Sequence, residues 1–249
     1  MDLTNYRKSE AETARISDLI SLLPGLGGSV LDVGAREGFI SKLLLDHFAM
    51  VTALDLSQPD IGHERIRCVK GDVTALEFAD GSFDLIFCTE VLEHLPTPLL
   101  AKACSELSRV SKDYLLIGVP YKQDIRVGRT TCGSCGKANP PYGHVNSFDE
   151  HQLLGLFPGF AVARTSFVGE TASRTNSLSC ILMDMAGNPY GTYSQEEPCI
   201  YCGETLTGPQ VRRLWQKVLT KFAYWGTETQ NLFASSHPSW IHLLLRRQP

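Results

Sequence analysis

Three groups of residues in this chain have types and spacings that could do chemistry. The first is Leu31 to Phe39, LDVGAREGF, an apolar run that passes through an acid, Asp32, into Gly34 and Gly38. Bare backbone at a strand end lets a ligand lie close, and the helix that follows offers amide groups and the positive end of its dipole. A dinucleotide cradle would need glycines at 34, 36 and 39. Arg36 and Phe39 stand there instead, and a side chain at 36 fills space a pyrophosphate needs. The second group is Cys132-Gly-Ser-Cys135-Gly and Cys199-Ile-Tyr-Cys202-Gly. Four thiolates on two glycine-closed knuckles suit a structural, tetrahedral zinc, with two disulfides or unrelated thiols as alternatives. The third is Glu90, Glu93 and His94, which share one face if that turn is helical, with His144 further along. Such a set could hold a divalent metal, form an acid-base pair, or simply pack a scaffold turn.

The elements that must position these groups follow from hydrophobic periodicity. Strands are expected at Ser29 to Val33, Met50 to Leu56, Ile66 to Val69, Phe83 to Cys88, Tyr114 to Val119, Phe160 to Val168 and Trp240 to Leu245. Helical spacing appears up to Leu23, over Phe39 to Phe48, and over Leu99 to Val110 with Thr97 as N-cap and Pro98 at the first position. It returns over Phe148 to Leu156 and through Val211, Trp215, Val218 and Phe222, a helix expected to dock that face and leave its basic side solvated. Strands alternating with helices imply a doubly wound, mostly parallel sheet, with ligands beyond the carboxyl ends of its strands. Residues 1–120 then form a cofactor-binding core, 121–143 and 169–208 are irregular insertions bearing the cysteines, and 144–168 with 209–249 complete the core.

A chain of 249 residues, 43% hydrophobic and 20% charged, can bury a full core. No stretch is long and apolar enough for a membrane span or a signal peptide, so the expectation is a cytoplasmic protein without a membrane partner. A net charge of −4 argues against blanket nucleic-acid binding, although six Lys/Arg against one acid follow Pro209. Cys68, Cys88, Cys104 and Cys180 lack partners at ligand spacing and are expected to be small buried hydrophobes.

The chain resembles the class I S-adenosylmethionine-dependent methyltransferases over about residues 28 to 120. The resemblance implies a seven-stranded Rossmann-like sheet with an antiparallel last strand, here Trp240 to Leu245. It implies that Asp32, Gly34 and Gly38 cradle the methionine part of the cofactor, and that Asp55 with Leu56 holds the ribose. Asp72 with Val73, in KGDVTAL, would meet the adenine amine, and Cys88, Thr89 and Glu90, in FDLIFCTEVLEHL, would line the pocket. The chemistry agrees, because a diol and an exocyclic amine donate hydrogen bonds and carboxylates accept them. Arg36 is expected to reach the cofactor's carboxylate or to point outward. A second resemblance, to small-RNA 2′-O-methyltransferases, implies magnesium on Glu90, Glu93, His94 and His144, and ubiquinone-pathway O-methyltransferases have a similar acid-rich turn.

The expectation is therefore a methyltransferase with a zinc-stapled lid, acting on a small-molecule or sugar-containing acceptor. RNA, through the basic C-terminal helix, or protein is the alternative acceptor, and a non-catalytic zinc-dependent binding module is the alternative of another kind.

Overall fold

The structure is a computed structural model describing residues 7, 9–25, 27–195, 197–209 and 211–249. It divides into two compact units. One comprises Arg7–Tyr121, Phe148–Gly169 and Ser239–Pro249, and the other contains Lys122–Ser147 and Glu170–Pro238. They are called the sheet unit and the cysteine unit below.

The sheet unit contains β1 (Gly27–Val33), β2 (Phe48–Asp55), β3 (Ile66–Lys70), β4 (Phe83–Thr89), β5 (Ser111–Pro120), β8 (Phe160–Val168) and β9 (Trp240–Arg247). They form one sheet in the order β3-β2-β1-β4-β5-β9-β8, with β9 antiparallel to both neighbours and the other pairings parallel. This is the mostly parallel seven-stranded sheet with an antiparallel last strand that the resemblance implies.

Both faces are covered, so the strands read as continuous apolar runs rather than alternating ones. The alternation appears instead in which core each residue enters. Leu31, Ile86, Cys88, Leu115, Ile117 and Leu243 join one cluster, with Leu107 of α3 (Thr97–Val110) and Leu153 of α4 (Glu150–Gly155). Val30, Leu85, Phe87, Leu116 and Leu244 join the other, with Leu19 of α1 (Glu10–Leu22) and Leu44 of α2 (Phe39–Leu44). Parallel register aligns the strand ends: Asp32 lies beside Ala53 and Phe87, Asp55 beside Lys70, and Thr89 beside Gly118.

Several local expectations shift. The helix after the glycine turn stops at Leu44, and Phe48 begins β2 with its ring buried. α3 starts one residue early, at Thr97, so Pro96 occupies the cap position. Glu90 does not begin a helix: its backbone is left-handed at φ 55°, and only Leu92–His94 form a 3-10 turn.

The cysteine unit contains a short hairpin, β6 (Thr130–Thr131) with β7 (Ala138–Asn139), whose loop carries Cys132 and Cys135. It also contains two helices, α5 (Ser177–Met185) and α6 (Leu214–Asn231). The apolar run Leu178 to Met183 is thus helical. The expected burial of the α6 face fails outright: Trp215, Val218 and Phe222 are 48%, 44% and 57% exposed, while Thr220 and Ala223 are the residues buried.

Candidate functional site

The glycine turn lies at the end of β1 and is pinned to β2, since the amides of Gly34 and Ala35 both donate to the carbonyl of Leu54, at 2.8 and 3.1 Å. Gly34 and Gly38 take φ of 79° and 77°. A Cβ on Gly34 would lie 2.7 Å from Val91 Cγ2, and one on Gly38 would lie 2.1 Å from Ile61 Cδ1. Both positions therefore need glycine twice over, for conformation and for space. Arg36 is also left-handed, at φ 48°, and lies on the exposed side of the turn.

Asp55 is fixed before any ligand arrives. Its Oδ2 accepts from the Arg36 amide at 3.0 Å and its Oδ1 from the Ser57 amide at 3.1 Å, so the turn after β1 and the turn after β2 share one carboxylate. Beside it Leu56 is 71% exposed, a bare apolar surface next to a half-buried acid. Asp72 closes its own turn, accepting from the Thr74 amide at 2.8 Å, while Val73 packs into the core. Thr89 lies at the end of β4, but the Cys88 thiol is buried in the core, so only its backbone can face a ligand.

Asp32 behaves differently from the role given to it. It is 3% exposed and accepts from Ser41 Oγ at 2.5 Å, tying β1 to α2. Burial raises its carboxyl from the usual 3.8 to about 6, with Ser41 opposing and Asp55 adding to the rise. The folded chain thus holds this proton more tightly than the unfolded chain, and stability falls as pH rises from about 4 to about 6, then levels. The loss is roughly 3 kcal/mol at 1.36 kcal/mol per pH unit. Thermal melts of Asp32→Asn across this range are expected to lack that decline; a decline equal to the wild type's would place it elsewhere.

The acidic turn is held by residues that motif reading missed. Glu90 has its carboxyl pushed up to about 6 by burial, with Arg15 opposing and Glu12 adding. Arg15 Nη1 lies 3.9 Å from Glu90 Oε1, and its other nitrogens grip Glu12 at 2.7 and 2.8 Å. Glu93 is fully buried, neither of its oxygens has a hydrogen-bond partner among the described residues, and burial, followed by Glu90, raises it well above its usual value. Three carboxyls and one guanidinium are therefore packed together. The available signal was Glu12 and Arg15 spaced three apart on one face of α1. His94 is half-buried on the 3-10 turn. His144 belongs to the cysteine unit, where its Nδ1 is 2.7 Å from Gln123 Oε1. Of the four residues expected to act together, Glu90, Glu93 and His94 belong to the sheet unit and His144 to the cysteine unit.

In the cysteine unit the two knuckles repeat one geometry. The Gly136 amide donates to the Cys132 carbonyl and the Gly203 amide to the Cys199 carbonyl, each at 2.9 Å, with both glycines left-handed. Cys132 Sγ lies 3.6 Å from Cys202 Sγ, Cys135 Sγ lies 3.6 Å from Cys199 Sγ, and all four sulfurs fall within 4.8 Å of one another. Sulfurs arranged tetrahedrally at about 2.3 Å from a zinc stand about 3.8 Å apart. Asn139, fully buried, joins the knuckles by accepting from the Ile200 amide at 2.9 Å.

Residues 31–114 match the family described as "Methyltransferase domain". The chain is 36% identical over 104 residues to a ubiquinone biosynthesis O-methyltransferase of Aromatoleum aromaticum, covering 37% of this chain and 44% of that one. It is 37% identical over 120 residues to a demethylmenaquinone methyltransferase of Renibacterium salmoninarum, covering 45% and 49%. The chain therefore spans less than half the length of these relatives.

Among solved structures it resembles a Bacillus halodurans protein described as a putative methyltransferase, with TM-score 0.58 and 18% identity over 94% of this chain and 98% of that one. It also resembles the 1,6-didemethyltoxoflavin-N1-methyltransferase of Burkholderia thailandensis with bound S-adenosylhomocysteine, with TM-score 0.55 and 15% identity over 99% and 82%. A third neighbour, with TM-score 0.54 and 18% identity over 96% and 84%, is the [4+2]-cyclase SpnF. Over residues 31–114, set in the seven-stranded sheet described above, the chain thus matches a methyltransferase domain.

Proposed function

We propose that the chain transfers the methyl group of S-adenosylmethionine to a small-molecule acceptor. One observation carries this: Asp55, oriented by two amides at the end of β2, beside a turn whose two glycines leave no room for a Cβ. The cofactor supplies a methyl on a sulfonium, an electrophile that needs no activation by the protein. Asp55 accepts from the ribose diol, Asp72 from the adenine amine, and Leu56 offers its exposed side chain to the purine face. The task left to the protein is to align the acceptor in a dry site and, where the acceptor must lose a proton, to take it. Glu90, half-buried and poised at about 6, is suited to take that proton near neutral pH.

Cys132, Cys135, Cys199 and Cys202 are the ligands of a structural zinc in this reading, supported by the sulfur spacing and the twin knuckles. The thiols so used imply a reducing compartment such as the cytoplasm. The relatives' names point to aromatic quinone precursors, and that chemical class is the first to test as acceptor. In this reading the cysteine-bearing segments 121–143 and 169–208 set acceptor choice.

Calorimetric titration tests the cofactor assignment. S-adenosylhomocysteine is expected to bind one per chain and NAD not at all; the reverse would overturn it.

A further inference from the structure

We propose that α6 is a membrane-surface helix, which lies in the headgroup region of an anionic bilayer and holds the protein there. The observation is an inversion of ordinary helix amphipathicity. α6 meets α5 through small and polar residues: Thr220 and Ala223 are buried, Thr175 and Thr227 join hydroxyls at 2.9 Å, and a Cβ on Gly226 would lie 2.5 Å from Ser179 Oγ. Its large residues point the other way. Leu214, Trp215, Val218, Phe222 and Trp225 recur every one to four residues and are 44% to 79% exposed, and Leu232 and Phe233 extend the stripe at 81% and 86%. An 18-residue helix is about 27 Å long, so this is a continuous apolar stripe rather than a scatter of single side chains.

Charge selects the occupant. Beside the stripe stand exposed Lys217 and Lys221, with Arg212 and Arg213 just before the helix, against one acid, Glu228. That segment is strongly basic in a chain whose net charge is −4. Stacking a second copy on the stripe would bring two such segments together, whereas anionic headgroups neutralise both sides at once. An aromatic-rich apolar face edged by lysines is the pattern of helices that lie in the interface plane. The expectation of no membrane partner came from the lack of a spanning segment. Among the described residues no helix is long and apolar enough to cross a membrane, but crossing differs from lying on one. The inference is independent of methyl transfer.

The test is flotation of the full zinc-bound chain with vesicles of phosphatidylcholine containing phosphatidylglycerol, beside pure phosphatidylcholine vesicles. The chain is expected to float with the mixed vesicles, to be released as salt is raised, and to shift its tryptophan emission to the blue. Phe222→Glu with Trp225→Glu should abolish flotation, and Lys217→Glu with Lys221→Glu should weaken it roughly thirtyfold or more, at about 1 kcal/mol per lysine. No flotation would overturn the proposal, as would flotation that the Glu variants leave unchanged, or a dimer in light scattering, broken by Phe222→Glu, in a chain that ignores vesicles. RNA binding lost in the lysine variants, again without vesicle binding, would assign the basic edge to nucleic acid and overturn it equally.

Discussion

Asp55→Ala is expected to weaken S-adenosylmethionine binding about a hundredfold or more. Two hydrogen bonds from ribose hydroxyls to a carboxylate contribute roughly 1.5–3 kcal/mol each, and at 1.4 kcal/mol per decade even the lower bound gives that factor. The substitution also releases the amides of Arg36 and Ser57, which Asp55 now holds, so the turn after β1 loses its brace together with the ligand contact. Asp55→Asn separates these effects. It keeps one acceptor oxygen but brings an NH2 group against either the ligand or a backbone amide, and it should bind with intermediate affinity. Both variants should melt within a few degrees of the wild type without ligand, because the residue is only half-buried. Isothermal titration with S-adenosylhomocysteine reads the affinities directly, and unchanged affinity in Asp55→Ala would remove this residue from the cofactor site.

The second large effect is expected at Cys199. Cys199→Ser should cut bound zinc from one per chain to a small fraction, and a chelator should do the same to the wild type. The sulfurs tie residues 130–139 to residues 199–206, and the buried cluster around them is small: Cys132, Cys199 and Leu206 with Tyr193 against them. So small a cluster buries little apolar surface, and a zinc held in such knuckles would supply folding free energy of roughly 10 kcal/mol or more. The cysteine unit is expected to show a melting transition of its own, and that transition and the unit's protease resistance should be lost. The sheet unit's core, which contains none of the four cysteines, should keep its own transition. Elemental analysis and scanning calorimetry measure the two parts. Full zinc content in Cys199→Ser, or one unchanged transition, would contradict the four-thiolate site.

The sheet unit was legible because its signals are local. Apolar runs bounded by Gly34, Gly71 and Pro120 mark β1, β3 and β5, and strand-end acids stay at strand ends whatever the packing. Trp240 to Leu245, which the resemblance marked as the antiparallel last strand, is that strand, and the run Leu178 to Met183 is α5. What sequence hid depends on contacts far apart in the chain. Arg15 reaches Glu90 across 75 positions, and nothing near either residue announces it. The left-handed backbone of Glu90 turns a helical-face argument about Glu90, Glu93 and His94 into a false one, because helical spacing assumes helical φ. α6 misled for a related reason. Its apolar periodicity was correct, but periodicity says which residues share a face and not whether the protein covers it, and here small residues make the seam.

The most direct test of methyl transfer is incubation of the zinc-bound protein with S-adenosylmethionine labelled in its methyl group and a cell extract separated into small-molecule, RNA and protein fractions. The account predicts label in the small-molecule fraction, lost with Asp55→Ala. Label confined to RNA or protein, or no transfer by a chain that binds the cofactor, would contradict it.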